Sequence, residues 1–166
     1  MTTRIAQLAA AAALVAIGTT PGFAQTTGAV AATATVTTEC NITATPLAFG
    51  EYDPVVAHQT ADLDGTATIT LTCTKGAVAS VALGLGLNAS GSTRRMRSSI
   101  GDSLTYELHQ DSSRLFVWNE EITSLLTLGP ALSMAPRTLT VFGRVFGGQD
   151  VRAGTYTDSV LATVNF

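Results

Sequence analysis

The feature that most constrains this chain is a strict alternation of apolar residues and threonine in its middle part. In the segment 66–73 every second position is threonine, and the positions between them carry Ala67, Ile69, Leu71 and Cys73. Successive side chains of a β-strand point to opposite faces, so this period of two predicts a strand with one face in a core and one in water. Threonine, which is β-branched, also favours strands over helices.

The same period recurs along most of the chain. It predicts further strands at 81–87, 138–146 and 155–166, and a hairpin whose arms are 104–109 and 115–118. The tetrapeptide Gln-Asp-Ser-Ser between those arms has the short polar side chains of a turn. A chain of 166 residues is long enough for one well-buried domain and too short for two. The sequence therefore predicts a single all-β domain.

Residues 1–24 have the pattern of a secretory signal peptide. Arg4 supplies a positive start, an apolar run of about a dozen residues follows, and Phe23-Ala24 lies in a small-residue cleavage region. A membrane-spanning helix needs roughly 20 apolar residues, and glycine, threonine and proline interrupt this run. We expect cleavage after Ala24 and secretion. The remaining chain has an acidic balance, which argues against nucleic-acid binding.

Secretion also decides how the two cysteines, Cys40 and Cys73, are interpreted. An oxidising compartment favours a disulfide, so we expect a Cys40–Cys73 bond; two free thiols are the alternative. With these cysteines in a disulfide, a site built from His and Cys for a metal is not expected.

The strand count suggests that one strand is missing. About six strands follow Cys40, whereas a complete immunoglobulin-like sandwich has seven. A sandwich without its last strand leaves an open edge and an apolar groove, which a strand donated by another molecule would cover. The segment 25–37 offers such a donor strand, with an apolar stripe at Val30, Ala32, Ala34 and Val36. The predicted organisation is a signal peptide at 1–24, a donor extension at 25–37 and an incomplete sandwich at 38–166.

A second interpretation remains open. Residues 29–37 would pair inside their own domain as an ordinary first strand. The protein would then be a self-contained secreted β-sandwich that coats the cell or binds carbohydrate, and it would be a stable monomer.

Four motifs, in order around the two cysteines, carry a resemblance to a known family. They are Cys-Asn-Ile at 40–42 with Leu-Ala-Phe-Gly-Glu-Tyr at 47–52; Ile-Thr-Leu-Thr-Cys at 69–73; Leu-Thr-Tyr-Glu-Leu at 104–108 with Asp111 and Trp118; and Gly-Arg-Val at 143–145, Gly-Thr-Tyr-Thr-Asp at 154–158 and the closing strand 160–166. In these motifs the chain resembles the spore coat protein U domain family, which includes the major pilins of archaic chaperone-usher pili. The chain departs from the family's pattern after Trp118, where Asn119, Glu120 and Glu121 stand in place of a frequent glycine.

The resemblance implies a structural subunit of a surface fibre that serves adhesion and biofilm formation. Its partners would be a periplasmic chaperone, an outer-membrane usher and other pilin subunits. The protein would pass through the periplasm to a cell-surface pilus. The groove that receives a neighbour's strand would be lined by the last strand, at Val160, Ala162, Val164 and Phe166.

Residues that could carry other chemistry are few. No Gly-x-Ser-x-Gly occurs, and His58 and His109 are far apart, so we predict no enzyme and no cofactor. The sequence at 62–65, Asp-Leu-Asp-Gly, lacks the remaining ligands of a calcium loop and predicts a polar turn. Glu120 and Glu121 are predicted to be surface residues. Lastly, a solvated loop is predicted for the basic cluster Arg94, Arg95 and Arg97; contact with an anionic polysaccharide or a neighbouring molecule is the alternative.

Overall fold

A computed structural model describes residues 22–166. The predicted signal peptide lies almost wholly outside these residues. The chain divides into two units, residues 1–35 and 36–166. In the first unit, the described residues 22–35 form neither helix nor strand, and all of them are exposed. Residues 36–39 continue in the same way up to the first strand. Within 22–166 no helix has the length and apolar character to cross a bilayer.

The second unit is built from nine short strands and one turn of 3₁₀ helix. The strands are β1 (Cys40–Ala44), β2 (Leu63–Cys73), β3 (Ala79–Leu83), β4 (Arg94–Ser98), β5 (Ser103–His109), β6 (Leu126–Leu128), β7 (Arg137–Val145), β8 (Tyr156–Thr157) and β9 (Ala162–Asn165), and the 3₁₀ turn is Ile122–Ser124. One sheet has the order β1-β2-β7-β5-β4-β8, and the other has the order β6-β3-β9. All the pairings are antiparallel. The predicted all-β sandwich is confirmed.

The long strands β2 and β7 pair with each other in the larger sheet, and they follow the alternation of the sequence. Ile69 and Leu71 are buried, Ala67 opposes Val141, and the threonines between them lie on the other face. The core continues across to the smaller sheet, where Val81 of β3 is fully buried. Each sheet thus has one apolar face, and the two apolar faces enclose one core, as the period of two predicts.

The disulfide Cys40–Cys73 is present and joins two residues that oppose each other across β1 and β2. It closes a loop with a sequence separation of 33 residues. In the chain-entropy account, a loop of this length stabilises the folded state by roughly 3–4 kcal/mol. It ties the edge strand β1 to its neighbour β2.

The chain turns back after β5 as predicted, but the predicted second arm at 115–118 is not a strand. Trp118 N–H donates to Leu108 O at 2.8 Å, and the N–H of Gln110 donates to Phe116 O at 3.0 Å. The carboxylate of Asp111 accepts the N–H of Phe116 at 2.9 Å inside the turn. Residues 115–118 make only an isolated bridge, His109 to Val117.

One predicted strand ends earlier than expected, and another is divided into two. The strand predicted at 81–87 stops at Leu83, because Gly86 has a φ of +89° and Leu87 is 84% exposed. The single strand predicted at 155–166 is wrong: β8 pairs with β4 in the larger sheet, whereas β9 pairs with β3 in the smaller sheet. Residues 158–161 carry the chain across from one sheet to the other. Nine strands are found where about six were counted, because the last one is divided, 115–118 forms none, and β1, β4 and β6 were not among those predicted.

Two segments predicted as turn or loop are strands. The Asp-Leu-Asp-Gly segment continues into β2, which begins at Leu63. Asp62 and Asp64 pair with Arg144, at 3.3 Å and 2.8 Å. The basic cluster forms β4, and the prediction of a solvated loop is wrong for Arg94, which is fully buried. Alternation along β4 leaves Arg97 exposed and Arg95 half-buried.

Candidate functional site

An apolar groove opens between two segments that run along one side of the sandwich. One wall is formed by the end of β1 and the residues after it, and the other is formed by β8, the crossover 158–161 and the start of β9. The groove has a volume of about 370 Å³. Its floor is the core itself, with Ile69, Leu83, Leu108 and Val141 among the lining residues. A second cavity of about 790 Å³ is lined by residues 47–54 and 151–156 of the same two walls.

The two cavities follow each other along one groove. Residues of the first wall line them in the order 44–49 and then 47–54, whereas residues of the second wall line them in the order 162–156 and then 156–151. The walls therefore run in opposite directions with a common middle. Together they make a long apolar channel on the surface of the sandwich, the shape that an extended peptide segment fills.

The edge of the smaller sheet lies in this groove. Within the described chain, β9 pairs with β3 and with no other strand. The main-chain N–H and C=O groups on its other side therefore have no strand partner, and such an edge is a template for an added strand. The wall at 45–53 also has no regular secondary structure. A strand placed between them would have unpaired backbone on one side and an irregular segment on the other.

The residues predicted to receive a donated strand lie at this edge. Val160 and Ala162 line the smaller cavity. Val164 opposes Val81 in the β3–β9 register and is half-buried. Phe166 lies one residue beyond β9 and is 54% exposed. Ala162 and Val164 thus lie on the edge strand β9 and Val160 lies in the crossover before it, and the receiving role of all four stays a prediction.

Several residues of the groove were not singled out as site residues in the sequence. Leu47 and Phe49 lie in one wall, Tyr156 lies in the other, and Met96 and Tyr106 complete the lining. Leu47, Phe49, Tyr106 and Tyr156 are part of the motifs described above, so the motif pattern was the signal that marked them. Met96 carries no such signal, because the strand that contains it reads as a basic segment.

Asp158 holds the crossover in place. Its carboxylate accepts the Tyr106 hydroxyl at 2.7 Å and both the N–H and the side-chain amide of Asn88 at 3.0 Å. It occupies the space beside Gly86, where a Cβ atom would lie 1.9 Å from Asp158 Oδ2. Burial, and next the hydrogen bond to Asp158, raise the pKa of Tyr106, so its hydroxyl keeps its proton and donates. The floor and one wall of the groove are linked by this contact.

The crossover is also hydrogen-bonded to the chain that continues from β3. The N–H of Gly84 donates to Leu161 O at 2.8 Å, and the N–H of Leu87 donates to Ser159 O at 3.1 Å. Val160 is held between these two bonds. The wall is therefore a defined surface even though residues 158–161 belong to no strand.

The predicted donor stripe lies in the segment without strands. Val30 is 95% exposed and Val36 is 82% exposed, and Ala32 and Ala34 are also exposed. The described residues 29–37 form no strand, so the internal pairing required by the self-contained sandwich is not observed. The apolar stripe is in water in the single chain.

The extension is anchored where it meets the sandwich. Thr74 Oγ1 accepts the N–H of Glu39 at 3.1 Å and donates to Thr37 O at 3.2 Å. The N–H of Thr74 donates to Glu39 O at 2.8 Å, next to the disulfide at Cys40. The last residue of the stripe, Val36, is thus one residue from a fixed point of its own domain.

The residues considered for other chemistry lie far apart in the fold, and His109 is buried. His58 stacks on Tyr52 with 5.1 Å between ring centroids, and His109 lies at the end of β5. Glu120 and Glu121 are exposed. The side chain of Arg144 is the main cause that lowers the pKa of Asp64. Among residues 22–166 no three His, Cys, Asp or Glu side chains are grouped as metal ligands.

Comparisons with known proteins agree with this architecture. The family model described as Spore Coat Protein U domain matches residues 26–163. The chain is 42% identical over 130 residues to Protein U of Myxococcus xanthus, covering 72% of this chain and 71% of that protein.

Among solved structures, the chain is similar to a chain in the CsuC–CsuE complex, a chaperone–tip adhesion subunit pre-assembly complex from archaic chaperone-usher Csu pili of Acinetobacter baumannii. The TM-score is 0.59 at 21% identity, and the match covers 80% of this chain and 41% of that one. This likeness supports the fold, and the chain spans about two fifths of the length of that neighbour.

Proposed function

The chain belongs to the Spore Coat Protein U domain family, and from this premise we propose that it is a structural subunit of a surface fibre. Each subunit lends residues 25–37 to the groove of the next subunit, where they complete the smaller sheet beside β9. The observation that carries the proposal is that one chain holds both halves of such a joint. It has an apolar groove with an open strand edge, and it has an exposed alternating stripe that pairs with nothing in the described chain.

The binding chemistry is main-chain pairing supported by apolar burial. An added strand hydrogen-bonds to the open side of β9, and every second side chain enters the groove. Burying a valine side chain stabilises a complex by about 1.5–3 kcal/mol. Alanine contributes less, since it removes less apolar area from water. The role is structural and requires neither a cofactor nor a catalytic residue.

The same groove explains the other partners of the proposal. An open strand edge beside an apolar groove promotes aggregation, so the subunit needs a companion before it meets its neighbour. A periplasmic chaperone would cover the groove. At an outer-membrane usher, the next subunit's extension would replace the chaperone. The similar structure from Acinetobacter baumannii is a chaperone–subunit complex of that protein. The proposed location is the periplasm in transit and then a pilus on the cell surface, with adhesion and biofilm formation as its use.

A charge in the donor stripe tests the proposal. We expect Val36→Asp to abolish fibre formation, because a carboxylate placed in the apolar groove loses its hydration without gaining a partner. The domain should keep its fold, since Val36 is 82% exposed in the single chain. The measurement is fibre length by electron microscopy with circular dichroism of the subunit.

Thr35→Asp is the matched control, because it adds the same charge one residue away, on the face that points out of the groove. It should form fibres. Fibres of normal length from Val36→Asp would contradict the donor assignment. A wild-type subunit that stays monomeric in size-exclusion chromatography would favour the self-contained sandwich instead.

A further inference from the structure

Four side chains divide the groove into its two cavities. Leu47, Phe49, Met96 and Tyr156 line both the cavity of about 370 Å³ and the cavity of about 790 Å³, and they lie at the point where the two meet. We call these four residues the partition.

The partition packs against a place in the larger sheet where two glycines leave no side chains. Gly65 and Gly143 oppose each other across β2 and β7, and Gly143 is on the same face as the buried Val141 and Val145. A Cβ on Gly143 would lie 2.6 Å from Leu47 Cδ2 and 2.8 Å from Phe49 Cζ. The two side chains therefore reach the floor of the sandwich where it has no side chains of its own. Such close contact leaves little room for the partition to move aside.

The donor stripe has a pattern that matches this shape. Its four apolar positions carry valine at both ends, Val30 and Val36, and alanine at the two central positions, Ala32 and Ala34. In an extended strand, Val30 and Val36 lie about 20 Å apart. On this face of the strand, the two valines are thus separated by two positions whose side chains are single methyl groups. In a uniformly deep groove the two alanines would weaken the joint, because they bury little apolar area.

We propose that Ala32 and Ala34 are the specificity determinants of the joint: they pass over the partition of the neighbouring subunit, while Val30 and Val36 enter the cavities on either side. The inference rests on the proposed function and fixes the register of the donated segment in the groove. The pattern is symmetric, so the fit holds for either direction of the strand. It also explains why a segment with small side chains at its centre serves as a donor, because larger side chains there would collide with Leu47 and Phe49.

A substitution that enlarges an apolar side chain distinguishes a steric fit over the partition from an affinity that depends only on the apolar area buried. We expect Ala34→Leu in the full chain to weaken the joint, with subunits leaving urea-treated fibres about tenfold faster than in the wild type, because overpacking a filled site is unfavourable. Attraction by area alone predicts the opposite, a tighter joint. The residue is exposed in the single chain, so the domain folds as before. Slower dissociation than in the wild type would overturn the proposal.

Two further variants make the test specific. Ala31→Leu adds the same bulk on the alternate face and should leave dissociation unchanged. Met96→Ala shortens a flexible side chain of the partition, and we expect it to restore wild-type dissociation to Ala34→Leu when both are in one chain. Fibres of the Met96→Ala single variant show that the groove still folds. A double variant as weak as Ala34→Leu alone would overturn the assignment of the partition. Failure of the donor model itself is recognised separately, by normal fibres from Val36→Asp.

Discussion

Removing residues 25–37 should leave a domain that folds but cannot extend a fibre. The described residues of this segment are all exposed and form no strand, and the compact unit starts at residue 36. The shortened chain keeps its groove and its disulfide, so it can receive an extension but cannot give one. We therefore expect no fibres from the shortened chain alone. When it is mixed with wild-type subunits, it should cap growing fibres and shorten them in proportion to its share.

The measurement is the distribution of fibre lengths by electron microscopy as the shortened chain is added at increasing ratio. A chain lacking only 25–29 is the control, since it keeps the whole apolar stripe from Val30 to Val36. It should form fibres of ordinary length. Long fibres made from the shortened chain alone would show that subunits join through another surface.

Replacing Arg94 by methionine should strongly destabilise the domain itself. The guanidinium of Arg94 is fully buried and donates to the carbonyl oxygens of Gly84 at 2.8 Å, Leu83 at 2.9 Å and Trp118 at 2.7 Å. It also pairs with Glu107. Methionine leaves these acceptors without a donor and Glu107 without its counter-charge. Breaking a buried pair in this way costs about 3–5 kcal/mol.

The free energy of unfolding, measured in urea on subunits held in the same complemented state, is the quantity to compare. Arg97→Met is the matched control, because Arg97 is on the same strand and exposed, and such surface changes stay within about 0.5 kcal/mol. Adding Glu107→Gln to Arg94→Met should recover part of the loss, since it removes the unpaired charge. Equal stability of Arg94→Met and Arg97→Met would show that the buried contacts contribute nothing net.

The alternation in the sequence was sufficient to predict the centre of the fold. In β2 and β7 the apolar face is buried in the core that they share with β3 of the smaller sheet, so the local pattern and the tertiary environment agree. The same rule predicted the donor stripe, because a segment that would form a strand only with another molecule has the same period as a buried strand; its donor role stays a prediction. The disulfide followed from secretion and from there being only two cysteines.

The parts that could not be predicted depend on contacts distant in sequence. The sequence of β4 predicts a basic loop. No residue close to Arg94 in the sequence indicates that its guanidinium donates to the carbonyl group of Gly84, ten residues earlier and just after β3. The division of the last strand into β8 and β9 depends on Asp158 meeting Tyr106 and Asn88 from other elements. The partition depends on Gly65 and Gly143 lying opposite each other, and that register exists only in the assembled sheet.

The central claim is that residues of one subunit fill the groove of another, and isotope-edited solid-state NMR of fibres tests it directly. Fibres grown from equal parts of ¹⁵N-labelled and ¹³C-labelled subunits show ¹⁵N–¹³C contacts only between different molecules. We predict such contacts between residues 30–36 of one subunit and residues 160–165 of its neighbour. If these two segments are in contact only in fibres of doubly labelled subunits, and never in the mixture, the extension pairs with its own domain and the account is wrong.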